Sequence, residues 1–293
     1  MYFLTSHSKQ IKVNLVGGLG NQLFCFFAGY FVSARTGIPL SLDVSDIRNR
    51  KSAHNVSIES FKLPGKFVYK KESGVGYLYR RLAKRVKRFL GINFQHSYFS
   101  DVVGYDPNLE FITHGLKLNG YFQTYRYYQP FSDLFRYMEL REPSSRYLQV
   151  KNQITANPST VIHVRRGDYV NLSEKFGLLG KEYYRESFNK VSNLNPHQNV
   201  YVFSDDVNMA KELLIDIVPS NTWWEDGKLN SAECLSLMTL ADSIVIANST
   251  FSWWGAMLGG EKIVIAPTKW FRNQEDPTDL YPPNWLTVTS SWT

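Results

Sequence analysis

Four short, continuous apolar runs mark the C-terminal half of the chain: TVIHV (160–164), NVYVF (199–203), SIVIA (243–247) and KIVIA (262–266). Each stops at a polar cluster, RRGDY, SDD, NSTFS and PTKW in turn. Between them, KEYYRESFNKVSN, VNMAKELLIDI and NSAECLSLMTLAD space their apolar residues at helical intervals. Unbroken Val/Ile strands alternating with helices predict a parallel sheet covered on both faces. In such sheets ligands sit at the carboxyl ends of the strands, which is where the polar clusters fall.

The N-terminal half opens in the same way. IKVNLV predicts a strand over Ile11–Val16 that runs straight into GGLGNQ. Leu23, Phe24, Phe27, Tyr30 and Phe31 then recur at helical spacing, and Gly37 is a helix-stop signal. A second strand is expected over Pro39–Val44. From about Ser52 to Pro158 the pattern is less regular: GYFQTYRYYQP reads as strand then loop, and FSDLFRYMEL as a short amphipathic helix. The composition change at KNQITANPS predicts a boundary between a domain over 1–155 and another over 156–293.

Composition narrows the class. The chain has 293 residues, 43% hydrophobic and 20% charged, with no low-complexity tract, so a folded chain with a substantial core is expected. A net charge of +7 favours anionic partners. The excess is local: between Lys62 and Arg88 ten basic residues face the single Glu72. That segment reads as a solvated basic helix face, with a membrane-surface or acceptor-binding face as the alternative. Two cysteines are too few for a disulfide framework, and no signal-type N-terminus or run of 18 apolar residues occurs, so a cytoplasmic protein, at most peripheral to a membrane, is expected.

The polar clusters carry the candidate chemistry. Two adjacent arginines at the end of an apolar strand suit anion binding. Alternation along a strand puts Arg165 and Arg166 on opposite faces, so Arg165 is expected to grip a phosphate while Arg166 pairs with Asp168, helped by a turn at Gly167. GGLGNQ, with Gly18, Asn21 and Gln22, lies between strand and helix; it is neither GxGxxG nor a Walker A loop, but can offer backbone N–H groups and amides to a polyhydroxylated ligand. Ser204, Asp205 and Asp206 are expected to cap the following helix and to accept hydrogen bonds from a base or ribose. Asn248, Ser249, Thr250 and Ser252 at the next strand end make another phosphate site, whereas Trp253 and Trp254 are expected to pack. No HExxH, DxD or His/Cys cluster points to a metal, and no G-x-S-x-G elbow to a hydrolase.

Taken together, HVRRGDY, with GGLGNQLF upstream and SDD and NSTFSWWGAML downstream, resembles the α-1,2-fucosyltransferases of glycosyltransferase family eleven over about residues 11–266. The resemblance implies a GT-B architecture, two Rossmann-like domains whose parallel sheets face a central cleft, acceptor-side first and GDP-sugar-binding second. It implies GDP-fucose as donor, no cofactor and no metal, and inverting transfer of L-fucose to a hydroxyl, usually O2 of a terminal β-galactose on an oligosaccharide or a lipid-linked glycan. By the same resemblance Arg165 neutralises the diphosphate, His163 and Arg166 hold the other positions of that motif, and Asp205 and Asp206 match an acidic pair. Thr250, Phe251 and Ser252 match a phosphate-contacting loop, Asn21 and Gln22 a loop facing the sugar, and Glu233 an acidic residue near the guanine. The family's usual SSFSWW is STFSWW here, which keeps the hydroxyl.

Such a reaction needs stabilisation of the departing GDP, which an arginine and helix N-termini supply, and a base near the acceptor hydroxyl. Asp168 and Glu174 are the candidates for the base. Another nucleotide sugar, a glycan binder without catalysis, and a basic nucleic-acid binder are the alternative readings. The last lacks any RRM, KH or helix-turn-helix signature, so nucleic acid is not an expected partner.

Overall fold

A computed structural model describes residues 9–49, 55–70, 97–196 and 198–293, apart from the side chains of Asp168 and Asn171. The chain divides into two units, one over Met1–Val56, Leu63–Pro130 and Pro277–Asp279, the other over Ser57–Lys62, Phe131–Asp276 and Leu280–Thr293.

The N-terminal unit is built on five parallel strands: β1 Ile11–Asn14, β2 Leu40–Asp43, β3 Lys66–Val68, β4 Ser97–Phe99 and β5 Lys117–Asn119, in the order β3-β2-β1-β5-β4. The central strand β1 buries Ile11 and Val13 completely. The helix Leu19–Thr36 follows it, buries Leu23, Phe24, Phe26, Phe27 and Val32, and stops at Gly37 in the left-handed conformation. Cys25 lies in this core, and Cys234 of the other unit is half-buried. The expected strand at GYFQTYRYYQP is displaced: β5 ends at Asn119, and Phe122 adopts φ 55°, which no strand can carry.

The C-terminal unit holds a six-stranded parallel sheet: β6 Ser159–Val164, β7 Asn199–Ser204, β8 Trp223–Trp224, β9 Ser243–Val245, β10 Ile263–Pro267 and β11 Leu286–Val288. Their order, β11-β10-β9-β6-β7-β8, places the first strand of the unit at the centre and sends the chain out on both sides of it. This is the doubly wound order of the Rossmann fold, with its switch point between β6 and β9. All six residues of β6 are buried, as the unbroken apolar run required. The helices Lys181–Leu194, Val207–Leu214 and Ser231–Met238 fall on the three segments with helical spacing.

The division falls at Pro130/Phe131, well before residue 155. KNQITANPS is not a linker: most of it is the second half of the helix Ser145–Ala156, whose buried residues are Tyr147, Val150 and Ile154. The Tyr147 hydroxyl hydrogen-bonds Ser236 at 3.0 Å, which ties this helix to the C-terminal unit. The polar residues read as a boundary are its solvent face. Of the basic segment, Lys62 pairs with Glu139, and residues 71–88 lie outside the described residues. Among the described residues no helix is long and apolar enough to cross a membrane.

Candidate active site at the strand ends

Three neighbouring strands of the C-terminal sheet, β9, β6 and β7, deliver their polar clusters side by side. Past the end of β6, Arg165 is half-buried and its Nη1 donates to Asp205 Oδ2 at 3.0 Å. The other oxygen of Asp205 accepts the backbone N–H of Arg166 at 2.8 Å. One carboxylate at the end of β7 thus fixes both the side chain of Arg165 and the chain that carries it. The Arg165 guanidinium also lies 5.1 Å from the ring centroid of Tyr169. A cation held on two sides is pre-organised, so it loses little freedom when an anion arrives.

Gly167 has a role that differs from the expected turn. A Cβ there would meet Asp205 Oδ2 at 2.2 Å, so a side chain at this position would push the carboxylate away from Arg165. Arg166 is buried, and its guanidinium donates to the carbonyls of Leu179 at 2.8 Å and Arg165 at 3.2 Å. It holds the loop that follows β6. The expected pairing of Arg166 with Asp168, and Asp168 as a base, fall on a side chain outside those described.

His163 lies one residue before the end of β6 and is 3% exposed. Its ring sits 5.6 Å from that of Phe251, and its Nδ1 is buried with no hydrogen-bond partner. Burial, reinforced by the charge of Arg165, lowers its pKa to about 3, so the imidazole is neutral at physiological pH. A neutral ring with a spare nitrogen can accept or donate one hydrogen bond, but cannot supply positive charge.

Past β9, the helix Thr250–Met257 begins under a Ser249 cap, whose hydroxyl accepts the Phe251 N–H at 3.4 Å. Ser252 is fully buried and donates to the carbonyls of Ala247 and Ser249 at 3.1 and 3.2 Å. Thr250, half-buried on the first turn, keeps its hydroxyl beside a helix N-terminus, where the dipole favours an anion. Asn248 is spoken for: its amide donates to the carbonyls of Phe176, Gly177 and Trp270 at 2.8, 3.2 and 3.2 Å. Trp253 and Trp254 pack, both fully buried.

The remaining residues separate into two kinds. Asp206 caps the helix Val207–Leu214 by accepting the Met209 N–H at 3.0 Å, and the Ser204 hydroxyl accepts the Asp206 N–H at 3.1 Å. Glu233, expected near a guanine, has both carboxylate oxygens engaged, one by Ser144 N–H at 2.7 Å and one by Asn230 N–H at 3.0 Å in a capping box. Burial opposes its ionisation, but these bonds outweigh burial and its pKa is lowered. The N-x-x-E pattern before a helix was the available signal for that role. Glu174 is exposed on the short helix Ser173–Phe176, and Asn273 donates to its carbonyl at 2.6 Å.

In the N-terminal unit, Gly17 takes φ 66° after β1 and Gly18 begins the helix Leu19–Thr36. Gln22 is fully buried and donates to the carbonyls of Gly17 at 2.9 Å and Asn55 at 2.7 Å, so it shapes the turn. Asn21 is half-buried, and Gln123, arriving from β5, donates to its Oδ1 at 3.1 Å. Sequence reasoning missed Gln123. It also missed the C-terminal strap: Trp292 bridges Leu179, and the Gly180 N–H donates to the Ser291 carbonyl at 2.6 Å, on the same loop that Arg166 grips. No periodicity announces either. Among the described residues no three His, Cys, Asp or Glu side chains gather as metal ligands would.

The model of glycosyl transferase family 11 matches residues 86–289. The chain belongs to that family. An alpha-1,2-colitosyltransferase of Escherichia coli is 30% identical over 95% of this chain and 98% of its own length. The O-antigen biosynthesis glycosyltransferase WbnK of Escherichia coli is 28% identical over 88% of this chain and 93% of its own. Among solved structures, the fucosyltransferase NodZ from Bradyrhizobium superposes with a TM-score of 0.51 at 13% identity, covering 86% of this chain and 94% of that one. At that identity the likeness is one of fold, and the two parallel-sheet units place this glycosyltransferase in the GT-B class.

Proposed function

We propose that this glycosyltransferase moves L-fucose, or a deoxy relative of it, from a GDP-sugar to a hydroxyl of a glycan, with inversion and without a metal. The observation that carries the proposal is Arg165, held by Asp205 at the switch point of the Rossmann-like sheet beside the N-terminus of the helix Thr250–Met257. A diphosphate leaving group gains negative charge as the glycosidic bond breaks. A fixed guanidinium and a helix N-terminus stabilise that charge with no reorganisation of their own. With Arg165, the Thr250 hydroxyl and the first-turn N–H groups complete the proposed cradle for phosphate oxygens.

His163, neutral and with Nδ1 unmatched, offers one hydrogen bond to the sugar or its leaving oxygen. Asn21, supported by Gln123, is the proposed contact for a sugar hydroxyl. Asp168 and Glu174 remain the proposed bases for the acceptor hydroxyl, and O2 of a terminal β-galactose, free or lipid-linked, is the proposed acceptor. A deoxysugar donor is a second reading favoured by the 30% identical relative, named for colitose, the 3-deoxy analogue of fucose. No further organic cofactor is needed.

The test is transfer itself. In EDTA, GDP-fucose and GDP-colitose are offered with a panel of β-galactoside acceptors, and products are linked by mass spectrometry and NMR. Product from one GDP-sugar, with inverted anomeric configuration, is the expected result. Transfer only from UDP- or ADP-sugars, or only with added divalent metal, would overturn the proposal.

A further inference from the structure

At the amino end of β7 and β8, away from the strand ends just described, lies a surface pocket of about 380 Å³. Asp205 follows the carboxyl end of β7, while Asn199 and Tyr201 line this pocket from the strand's other end, roughly 17 Å back at 3.3 Å per residue. Its floor is aromatic. Tyr201 and Trp223 pair in register and their rings lie 5.8 Å apart. Its walls carry four carboxamides, from Gln153 and Asn157 at the end of the helix Ser145–Ala156, from Asn199, and from Asn221.

The chemistry of this lining is specific in two ways. Three of the four carboxamides, those of Gln153, Asn157 and Asn221, are exposed, Asn199 is half-buried, and the Tyr201 beneath them is 5% exposed. Each carboxamide offers two donors and two acceptor sites, which suits a ligand with hydroxyls in every direction. And no ionised side chain lines the pocket. Arg146, 6.0 Å over the Trp223 ring, is paired with Asp226 at 3.0 Å. A nucleotide, a phosphorylated lipid or an acidic polysaccharide would find no cation to meet it. An uncharged pyranose presents an apolar face of C–H groups and a rim of hydroxyls, and an indole framed by amides complements both.

We infer that the pocket between β7, β8 and the helix Ser145–Ala156 is an auxiliary binding site for an uncharged oligosaccharide, separate from the donor site. It stands on its own lining and does not depend on the identity of the donor.

The experiment follows the Trp223 indole N–H resonance, assigned with Trp223→Phe, in the full-length chain. The probes are maltotriose, triacetylchitotriose and lacto-N-tetraose, with a sulfated heparin disaccharide as the charged control. At least one neutral probe should shift that resonance saturably, and the heparin disaccharide should not. In the double variant Asn199→Ala/Asn221→Ala, whose lost side chains hold nothing in the fold, affinity for that probe should drop about tenfold or more, as two lost hydrogen bonds imply. Absence of any shift with all neutral probes, a shift with the heparin disaccharide alone, or equal binding by the double variant would each overturn the inference. Arg165→Lys separates the two readings: it should weaken GDP binding and leave the Trp223 response intact.

Discussion

The two sheets of this molecule share a central first strand and put opposite chemistry at its carboxyl end. In each, the chain leaves the carboxyl end of that strand at the switch point: through Gly17 and Gly18 into the first turn of the helix Leu19–Thr36 after β1, and through Arg165–Asp168 after β6. The N-terminal site carries amides: Asn21, to which Gln123 past the end of β5 donates, over the buried Gln22 that shapes the turn. The C-terminal loop is furnished with Arg165 and Arg166, organised by Asp205. Amides exchange hydrogen bonds with neutral hydroxyls without a desolvation penalty for charge, whereas a fixed guanidinium is built for phosphate. On the proposed reading, topology sets where each ligand sits, and the side chains at the switch point set which ligand it is.

The contrast can be broken most severely at Arg165. Arg165→Lys keeps the charge but loses the planar fork, and turnover should fall about 100-fold or more with cooperative unfolding preserved. Steady-state rates and thermal melts on the same preparation check this, and near-normal turnover would remove Arg165 from the diphosphate.

A buried amide should behave differently. Gln22→Ala leaves the Gly17 and Asn55 carbonyls without their donor, which should cost about 1–3 kcal/mol of stability in urea titrations. GDP affinity should be unchanged, because Gln22 shapes only the N-terminal turn.

His163 sharpens the comparison through pH. Its folded pKa is depressed to about 3 by burial and by Arg165, so the unfolded chain binds its proton first. Stability should therefore fall as pH drops from about 6.5 towards 3, and the share due to His163 between pH 7 and pH 5 is about 2 kcal/mol. His163→Gln should lose less stability than the parent over that interval by about this amount, measured by denaturant titration at both pH values. An identical pH dependence would mean that the folded and unfolded chains bind the His163 proton equally, with no depression of its pKa.

The smallest expected effect is at Asp206. Asp206→Ala removes the cap of the helix Val207–Leu214 and should cost about 1 kcal/mol, with donor binding little altered. A large loss of GDP affinity instead would make Asp206 a ligand contact.

Much of this arrangement is legible in the chain. The runs that became β6, β7, β9 and β10 are apolar because central parallel strands are covered on both faces. Strands β3, β4, β8 and β11 passed unnoticed: each has three residues or fewer and lies at or next to a sheet edge, so no long apolar pattern is imposed on it. Position was likewise legible at the site, since polar clusters at strand ends mark the switch point. Partnership was not. That Asp205 holds Arg165, that Arg166 grips the Leu179 carbonyl, and that Asn248 is consumed by three carbonyls are all contacts between distant segments. The Gly167 case shows the same limit, because its reason is a carboxylate arriving from β7 and not its own backbone angles.

The most direct measurement is calorimetric titration of GDP, in EDTA, into the wild-type chain, Arg165→Lys and Asn21→Ala. If the cationic strand end of the C-terminal unit binds the nucleotide, wild type and Asn21→Ala should bind GDP alike, in preference to UDP and ADP. Arg165→Lys should bind it about tenfold more weakly or worse. GDP binding that survives Arg165→Lys but fails in Asn21→Ala would contradict the division of labour between the two sheets.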